Sequence, residues 1–252
     1  GMKRILIAAG MLVVLQGCSV REPMSADQEQ PTLTPRASTY QDLLELTEES
    51  SYRREGLMAF LANFQREHHA AAVIEAAHQF AQTHLVPNAA PWGRGLFDRQ
   101  ALFEPAGSCG LLGLQVPREW GGSDLSFGDK VRVLQKLARI DFSAAMALVN
   151  SHNVAVQLVK SSPHVLTPLY ADDLIRGRMV ACTALTEPNA GSDLGKIQTT
   201  AIRHGDGWLL NGSKTWIINA AHADGVVVYA QTTDGAGVKG IAAFFVRADS
   251  PG

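Results

Sequence analysis

The sequence predicts an α+β fold: an N-terminal all-α helical domain followed by part of an antiparallel β domain. Three observations predict it. Apolar residues recur at three- and four-residue steps through residues 57–159, the period changes to two at Met179, and turn signals then separate short apolar runs. Helices first and strands second give segregated elements rather than alternating β-α-β units. No Gly-x-Gly-x-x-Gly follows a strand, so a Rossmann route to a cofactor has no support.

Composition bounds what these elements do. A chain of 252 residues that is 46% hydrophobic can bury a sizeable core, as one large domain or two modest ones. A formal net charge of -2 gives no electrostatic case for nucleic acid, so an anionic ligand must be met by local donors. Cys18, Cys109 and Cys182 are too widely spaced for a disulfide framework or a zinc pattern, and Cys109 and Cys182 read as small hydrophobes or a surface thiol.

Residues 1–23 read as a signal-like leader. Gly1 stands before Met2 as an added residue; Lys3 and Arg4 precede an apolar run over 5–15, which is shorter than the roughly 20 residues a bilayer span needs. Leu15-Gln16-Gly17-Cys18 resembles a bacterial lipoprotein cleavage box, which implies a lipidated Cys18 at a membrane surface. A start at Met24 would remove the leader and leave the product cytoplasmic. Residues 24–62 form a linker and N-terminal extension: 25–38 is polar and carries Pro31 and Pro35, and Leu43, Leu44 and Leu46 fit a short amphipathic turn.

The helical domain is placed at 63–177. Leu57, Phe60, Leu61 and Phe64 predict one buried helix face leading into it, and Val73, Ala77, Phe80 and Leu85 predict a second helix over 70–85 that ends at Pro87. His68, His69, His78 and His84 have no ligand spacing beside carboxylates and read as structural. A further helical pattern over 97–114 is closed by glycines, and residues 116–122 form a loop. Ser126 caps a helix with an apolar stripe of Val131, Leu134, Leu137 and Ala138; Asp141 and Ser143 offer a break and a cap before a strongly apolar helix over 144–159. His152 and Asn153 inside it read as a satisfied core or interface pair.

The partial middle β domain is placed at 178–252. Strands are predicted at 199–204, 208–210, 214–219, 226–231 and 241–246, with turns at 205–207 and 234–237 and a hairpin at Asn211-Gly212. Function concentrates in residues 184–193, Ala-Leu-Thr-Glu-Pro-Asn-Ala-Gly-Ser-Asp, and 214–219, Lys-Thr-Trp-Ile-Ile-Asn. Pro188 fixes its φ and Gly191 permits a positive one, so a tight loop follows. Its amides, the hydroxyls of Thr186 and Ser192, and the flat face of Trp216 suit a planar, electron-poor ring with carbonyl edges.

These two runs closely resemble the signature of the flavin-dependent acyl-CoA dehydrogenases, and the resemblance extends over about residues 64–252. It implies FAD as cofactor, an acyl-CoA substrate, an electron-transferring flavoprotein as acceptor and a homo-oligomer when complete. It also implies a missing C-terminal helical domain, which in most members carries the catalytic glutamate, so the catalytic residue is unassigned and the chain reads as incomplete. By the same resemblance Thr183, Ala184, Leu185 and Thr186 lie along the N1 and O2 edge of the isoalloxazine. Ser192 meets the flavin loop and the pantetheine arm of the substrate, and Trp216, Ile217 and Ile218 form a strand packed against the flavin. Ile218 departs from the family, which places a hydroxyl near N5. Glu187 resembles a loop-holding residue rather than a substitute base. The expected chemistry is removal of the α-proton by a carboxylate with hydride transfer from the β-carbon to flavin N5. A flavin monooxygenase or oxidase on the same fold, and a lipid-anchored fragment without flavin, are the alternatives.

Overall fold

The computed structural model describes residues 3–7, 12–13, 51–233 and 236–251. The expectations for Cys18, for the linker over 25–38, for Leu43, Leu44 and Leu46, and for Asp234 and Gly235 lie outside the described residues.

The helical part is built from α1 (Ser51–Phe80), α2 (Val86–Gly93), α3 (Arg99–Ser108), α4 (Phe127–Ala138), α5 (Phe142–Ser161) and α6 (Thr167–Ile175). The chain divides into two compact units, residues 18–72 and the remainder. In the first, the described helix carries Leu57, Phe60, Leu61 and Phe64, and the expected burial of this face is not met: Phe60 and Phe64 are exposed and stack on each other at 6.3 Å. Helical spacing of apolar residues specifies a stripe and leaves open what covers it.

In the second unit, Val73, Ala77, Phe80 and Leu85 are buried as their spacing predicts. The predicted break between two helices at residue 70 is absent, and α1 runs on into a π-turn at Ala81–Leu85. Pro87 does not end the helix. It sits in the first turn of α2, where its missing N–H costs nothing, and the π-turn before it, closed by the Val86 N–H to Ala81 O, makes room for the ring. Ser126 caps its helix as its position predicts, accepting from the Asp129 amide; Asp98, which the sequence pattern did not single out, accepts from the Gln100 amide, and Asp141 from the Ala144 amide. Asp141, not Ser143, is the cap of α5. In α4 the buried apolar positions are Val133 and Leu137, whereas Val131, Leu134 and Ala138 are half-buried.

The strands are β1 (Lys3–Ile7), β2 (Leu12–Val13), β3 (Ala181–Ala184), β4 (Thr200–His204), β5 (Gly207–Gly212), β6 (Gly225–Gln231) and β7 (Ile241–Arg247). They form one sheet in the order β1-β5-β4-β6-β7-β2, with β3 added to β6. Most pairings are antiparallel, as predicted, but β3 runs parallel to β6 and a single parallel bridge, Thr200 to Gln231, joins β4 to β6, so the sheet is mixed.

Two predicted features are corrected here. Asn211-Gly212 is no hairpin turn: the turn is made by Gly205, at φ +61°, and Asp206, and β5 must run on to Gly212 to match the length of β4, pairing Asn211 with Thr200. Gly212 is needed for close approach, since a Cβ there would collide with the Cα and Cβ of Thr199. Residues 214–219 form no strand but an irregular loop.

β7 is buried on both faces, which explains its unbroken apolar run. Ala243 and Phe245 face a core shared with Val154, Leu158 and Leu174 of α5 and α6, while Ala242, Phe244 and Val246 face a second core with Ala201 and Leu210. The helices therefore press α5 against the sheet beside β3. Arg99 adds a polar tie, pairing with Asp224 at 2.8 Å and donating to His222 O, while Asp224 accepts from the Val180 amide.

Candidate functional site

The loop after β3 is closed on itself by two backbone bonds, Glu187 N–H to Ala190 O at 2.8 Å and Ala190 N–H to Glu187 O at 3.2 Å, around Pro188 and Asn189. Glu187 turns inward and is buried. Its carboxylate accepts from the Gln198 amide at 2.7 Å, the Thr199 amide at 3.0 Å, the Thr199 hydroxyl and the Lys214 ammonium at 2.8 Å. Burial alone would raise its pKa, but Lys214, the Thr199 hydroxyl and the two amides outweigh it and hold the carboxyl below the usual range. With its lone pairs so occupied, Glu187 secures the loop and is not available as a base, as its sequence context implied.

Lys214 joins the two candidate segments. Its ammonium donates to Leu185 O at 3.0 Å as well as to Glu187, and the next amide, that of Thr215, donates to Thr186 O at 3.0 Å. Burial lowers the pKa of Lys214 while Glu187 works in the opposite direction. Neither the Leu185 nor the Thr186 N–H has an acceptor among the described residues. The loop thus offers two half-buried, unused donors on a backbone that is held rigidly.

Beyond Thr215 the chain turns sharply. Trp216 has φ +58° and Asn219 has φ +68°, a left-handed conformation that a bulky residue adopts only when its surroundings impose it. Asn219 is suited to this region and its side-chain amide donates to Ala147 O of α5 at 2.8 Å. Trp216 is 89% exposed, so its indole presents a free face instead of packing from a strand as the resemblance implied.

The predicted site residues are therefore only partly gathered. Ala184 ends β3 and is buried; Thr183 is half-buried, its amide 3.4 Å from Asn150 Oδ1 of α5. Leu185 and Thr186 are tied to Lys214 and Thr215. Ile217 is half-buried and Ile218, 38% exposed, lines a cavity of about 430 Å³ with Trp92, Phe97, Ala144, Ala147 and Asn219. Ser192 lies on the exposed turn beyond Ala190. Next to Thr183, burial pushes the Cys182 thiol up to about 11, so it stays protonated at neutral pH. A larger groove of about 630 Å³ near Ile74, Arg132 and Arg139 contains none of these residues.

Sequence reasoning included Lys214 and Asn219 in the functional run but gave them no role, and it missed Asn150 and the aromatic pair Trp92 and Phe97, whose rings meet edge to face at 5.6 Å. Lys214 carried a signal, a cation inside an apolar run with an acidic residue in the partner segment. The aromatic pair, about 120 residues away along the chain, carried none.

Comparison with known proteins matches the same two regions. Residues 67–164 match the family model for the acyl-CoA dehydrogenase N-terminal domain and residues 182–252 that for the middle domain. The mitochondrial isovaleryl-CoA dehydrogenase of Solanum tuberosum is 35% identical over 176 residues, 69% of this chain and 43% of that protein. Butyryl-CoA dehydrogenase from Megasphaera elsdenii superposes with a TM-score of 0.67 at 27% identity, covering 73% of this chain and 49% of that one. A structure described as PigA with FAD and proline gives a TM-score of 0.67 at 29% identity over the same shares. The chain spans less than half the length of the curated relatives it matches.

Proposed function

The chain belongs to the acyl-CoA dehydrogenase family, and from that premise we propose that it forms the front half of a flavin-dependent oxidoreductase that introduces an α,β double bond into an acyl-CoA thioester, with FAD as hydride acceptor and an electron-transferring flavoprotein as the onward acceptor. The observation that carries this reading is the pair of unused Leu185 and Thr186 amides, held by Lys214 and Thr215, beside the exposed indole of Trp216.

The donor set fits the pyrimidine edge of a flavin, which offers carbonyl and imine acceptors. A bound flavin would supply hydride acceptance, and its pyrimidine edge is where fixed donors would meet the negative charge of the reduced ring. The Leu185 and Thr186 amides would hold that edge with fixed donors in a half-buried setting, where loss of one such donor would cost about 2.7 to 4 kcal/mol of transition-state stabilisation. Trp216 would offer its exposed indole face to the ring. Ile218, Trp92 and Phe97 give the adjoining cavity an apolar wall against which an acyl chain would pack, while Asp141, Ser143, Asn219 and His222 line its polar side. Glu187 supplies no proton transfer, and the α-proton passes to a base outside this set.

A second reading is favoured by the neighbour described with FAD and proline: flavin-dependent oxidation of a substrate other than an acyl-CoA. Titration of the chain with FAD, followed by flavin absorbance and fluorescence, tests both. Bound but weak FAD is expected, because among the described residues this loop and the Trp216 segment are the parts placed to grip it, and equilibrium dialysis showing no binding would remove the flavin assignment. Product analysis of the flavin-loaded full-length protein with butyryl-, isovaleryl- and glutaryl-CoA then separates dehydrogenation from oxidase chemistry. An enoyl product supports the first reading, and peroxide formation with no enoyl product supports the second.

A further inference from the structure

Lys214 does more than neutralise Glu187. Its side chain is only 10% exposed, and its ammonium bonds both Glu187 Oε1 and the backbone oxygen of Leu185. The described peptide bonds are all trans, so the Leu185 carbonyl and the Thr186 N–H lie on opposite edges of one rigid plane, and fixing the carbonyl fixes the direction of the amide. The Thr186 carbonyl is fixed in turn by the Thr215 amide. Two consecutive peptide planes are thereby pinned from residues 214 and 215, and the N–H between them points away from Lys214 with no acceptor of its own.

A buried ion pair is a poor source of stability, since apolar residues of similar size fill the same space without the cost of desolvating two charges. Glu187 already has three other donors, the Gln198 and Thr199 amides and the Thr199 hydroxyl, so it does not depend on Lys214 for partners. The Leu185 carbonyl has no other donor among the described residues.

We propose that Lys214 is a positioning residue that holds the Leu185–Thr186 peptide so that the Thr186 amide donates to the electron-rich edge of the bound cofactor. The inference rests on the flavin reading and adds to it a residue that touches neither cofactor nor substrate. It is tested by comparing FAD affinity, the midpoint potential of the bound flavin and the melting temperature for the full chain and three variants: Lys214→Met, Glu187→Gln and the double variant. Both single substitutions break the ion pair, but only Lys214→Met releases the Leu185 carbonyl. The double variant leaves no lone buried charge and keeps the comparison open if Lys214→Met does not fold.

Lys214→Met and the double variant are expected to weaken FAD binding by at least about 10-fold more than Glu187→Gln, the scale of a lost charge-assisted hydrogen bond, and to lower the flavin potential. Glu187→Gln is expected to lower the melting temperature without a comparable change in potential. Equal losses in all three variants would show that Lys214 is only half of an ion pair and overturn the inference. Absence of FAD binding by the unaltered chain would be a different failure, removing the flavin reading itself and this inference with it.

Discussion

Substitution of Asn219 separates the two forces that shape the Trp216 loop. Asn219 has φ +68° and ψ 0°, and its side-chain amide donates to Ala147 O at 2.8 Å in a partly buried setting. The hydrogen bond is worth about 0.5 to 1.5 kcal/mol net. The left-handed backbone adds about 1 to 2 kcal/mol of strain for an ordinary L-residue, less for Asn and none for Gly. Asn219→Ala loses the bond and incurs the strain, so a total loss of about 1.5 to 3.5 kcal/mol is expected. Asn219→Gly loses the bond but relieves the backbone, and should cost about 1 kcal/mol or less. Asn219→Asp keeps the conformational tolerance while setting a carboxylate against a carbonyl, and should fall near the Ala variant. Urea denaturation at constant m-value gives the order of the series, and FAD affinity should decline in the same order because the loop carries Trp216. A Gly variant no more stable than the Ala variant would refute the backbone argument, and an Ala variant as stable as the original would refute both.

Three further outcomes follow from the same geometry. His152 is buried, and its Nδ1 lies 3.2 Å from Leu112 O, so Nδ1 carries the proton, and Nε2 has no partner among the described residues. Burial, with a smaller contribution from Lys130 against the Leu112 contact, holds its pKa down to about 4 from an ordinary 6.5. The native state therefore favours the neutral ring, and stability that is full above pH 6.5 drains away as the pH falls toward 4, by about 3 kcal/mol. His152→Gln should flatten that part of the pH-stability curve; an unchanged slope would show that other groups cause it. Ile218→Thr should speed flavin reduction in the full-length protein by the equivalent of about 0.5 to 1.5 kcal/mol, measured by stopped-flow bleaching, with little thermal penalty because the side chain is not fully buried. No acceleration together with a lower melting temperature would show that Ile218 only fills space. Gly212→Ala should destabilise the β5 end by about 1 to 3 kcal/mol through the clash with Thr199, and a melting temperature equal to the original would contradict that packing.

The elements most legible in the sequence were those fixed by local chemistry. Ser126 caps the helix it precedes, the break at Asp141 falls at a helix start, and β4, β6 and β7 fall close to where period-two patterns place them. Errors arose where two local signals competed or where distant partners decided. Asn211-Gly212 has the chemistry of a turn, yet the turn at Gly205 and Asp206 had already set the register, and the strand had to continue to pair with Thr200. Lys-Thr-Trp-Ile-Ile reads as a strand by propensity, but the bonds of Lys214, Thr215 and Asn219 to Leu185, Thr186 and Ala147 bend it into a loop. Pro87 reads as a stop, and only the π-turn before it lets the helix continue. The site loop was visible because Pro, Gly and a buried acid lie within six residues; the cavity was not, because Trp92 and Phe97 come from another part of the chain.

The helical domain takes a direct part in the site, and α5 is how it does so. Ala147, Asn150 and Ser151 stand at i, i+3 and i+4, one face of a helix within about 6 Å of rise. From that face the Ala147 carbonyl accepts from Asn219, the Asn150 side chain from the Thr183 amide at 3.4 Å, and the Ser151 hydroxyl from the Ala181 amide at 3.2 Å. Both site segments, β3 with its loop and the Trp216 loop, are thus referenced to one rigid turn of α5 as well as to each other through Lys214. Relative motion of the two segments would have to break bonds on α5 and at Lys214 together. The cavity beside Ile218 is bounded by the same helix through Ala144 and Ala147, so the side chains that bound the cavity and the backbone that presents the donors share one support. A substitution that shifts α5 along its axis will therefore alter the cavity and the donors in step, whereas one in the sheet core around Ala201 and Leu210 can weaken the fold while leaving their geometry intact.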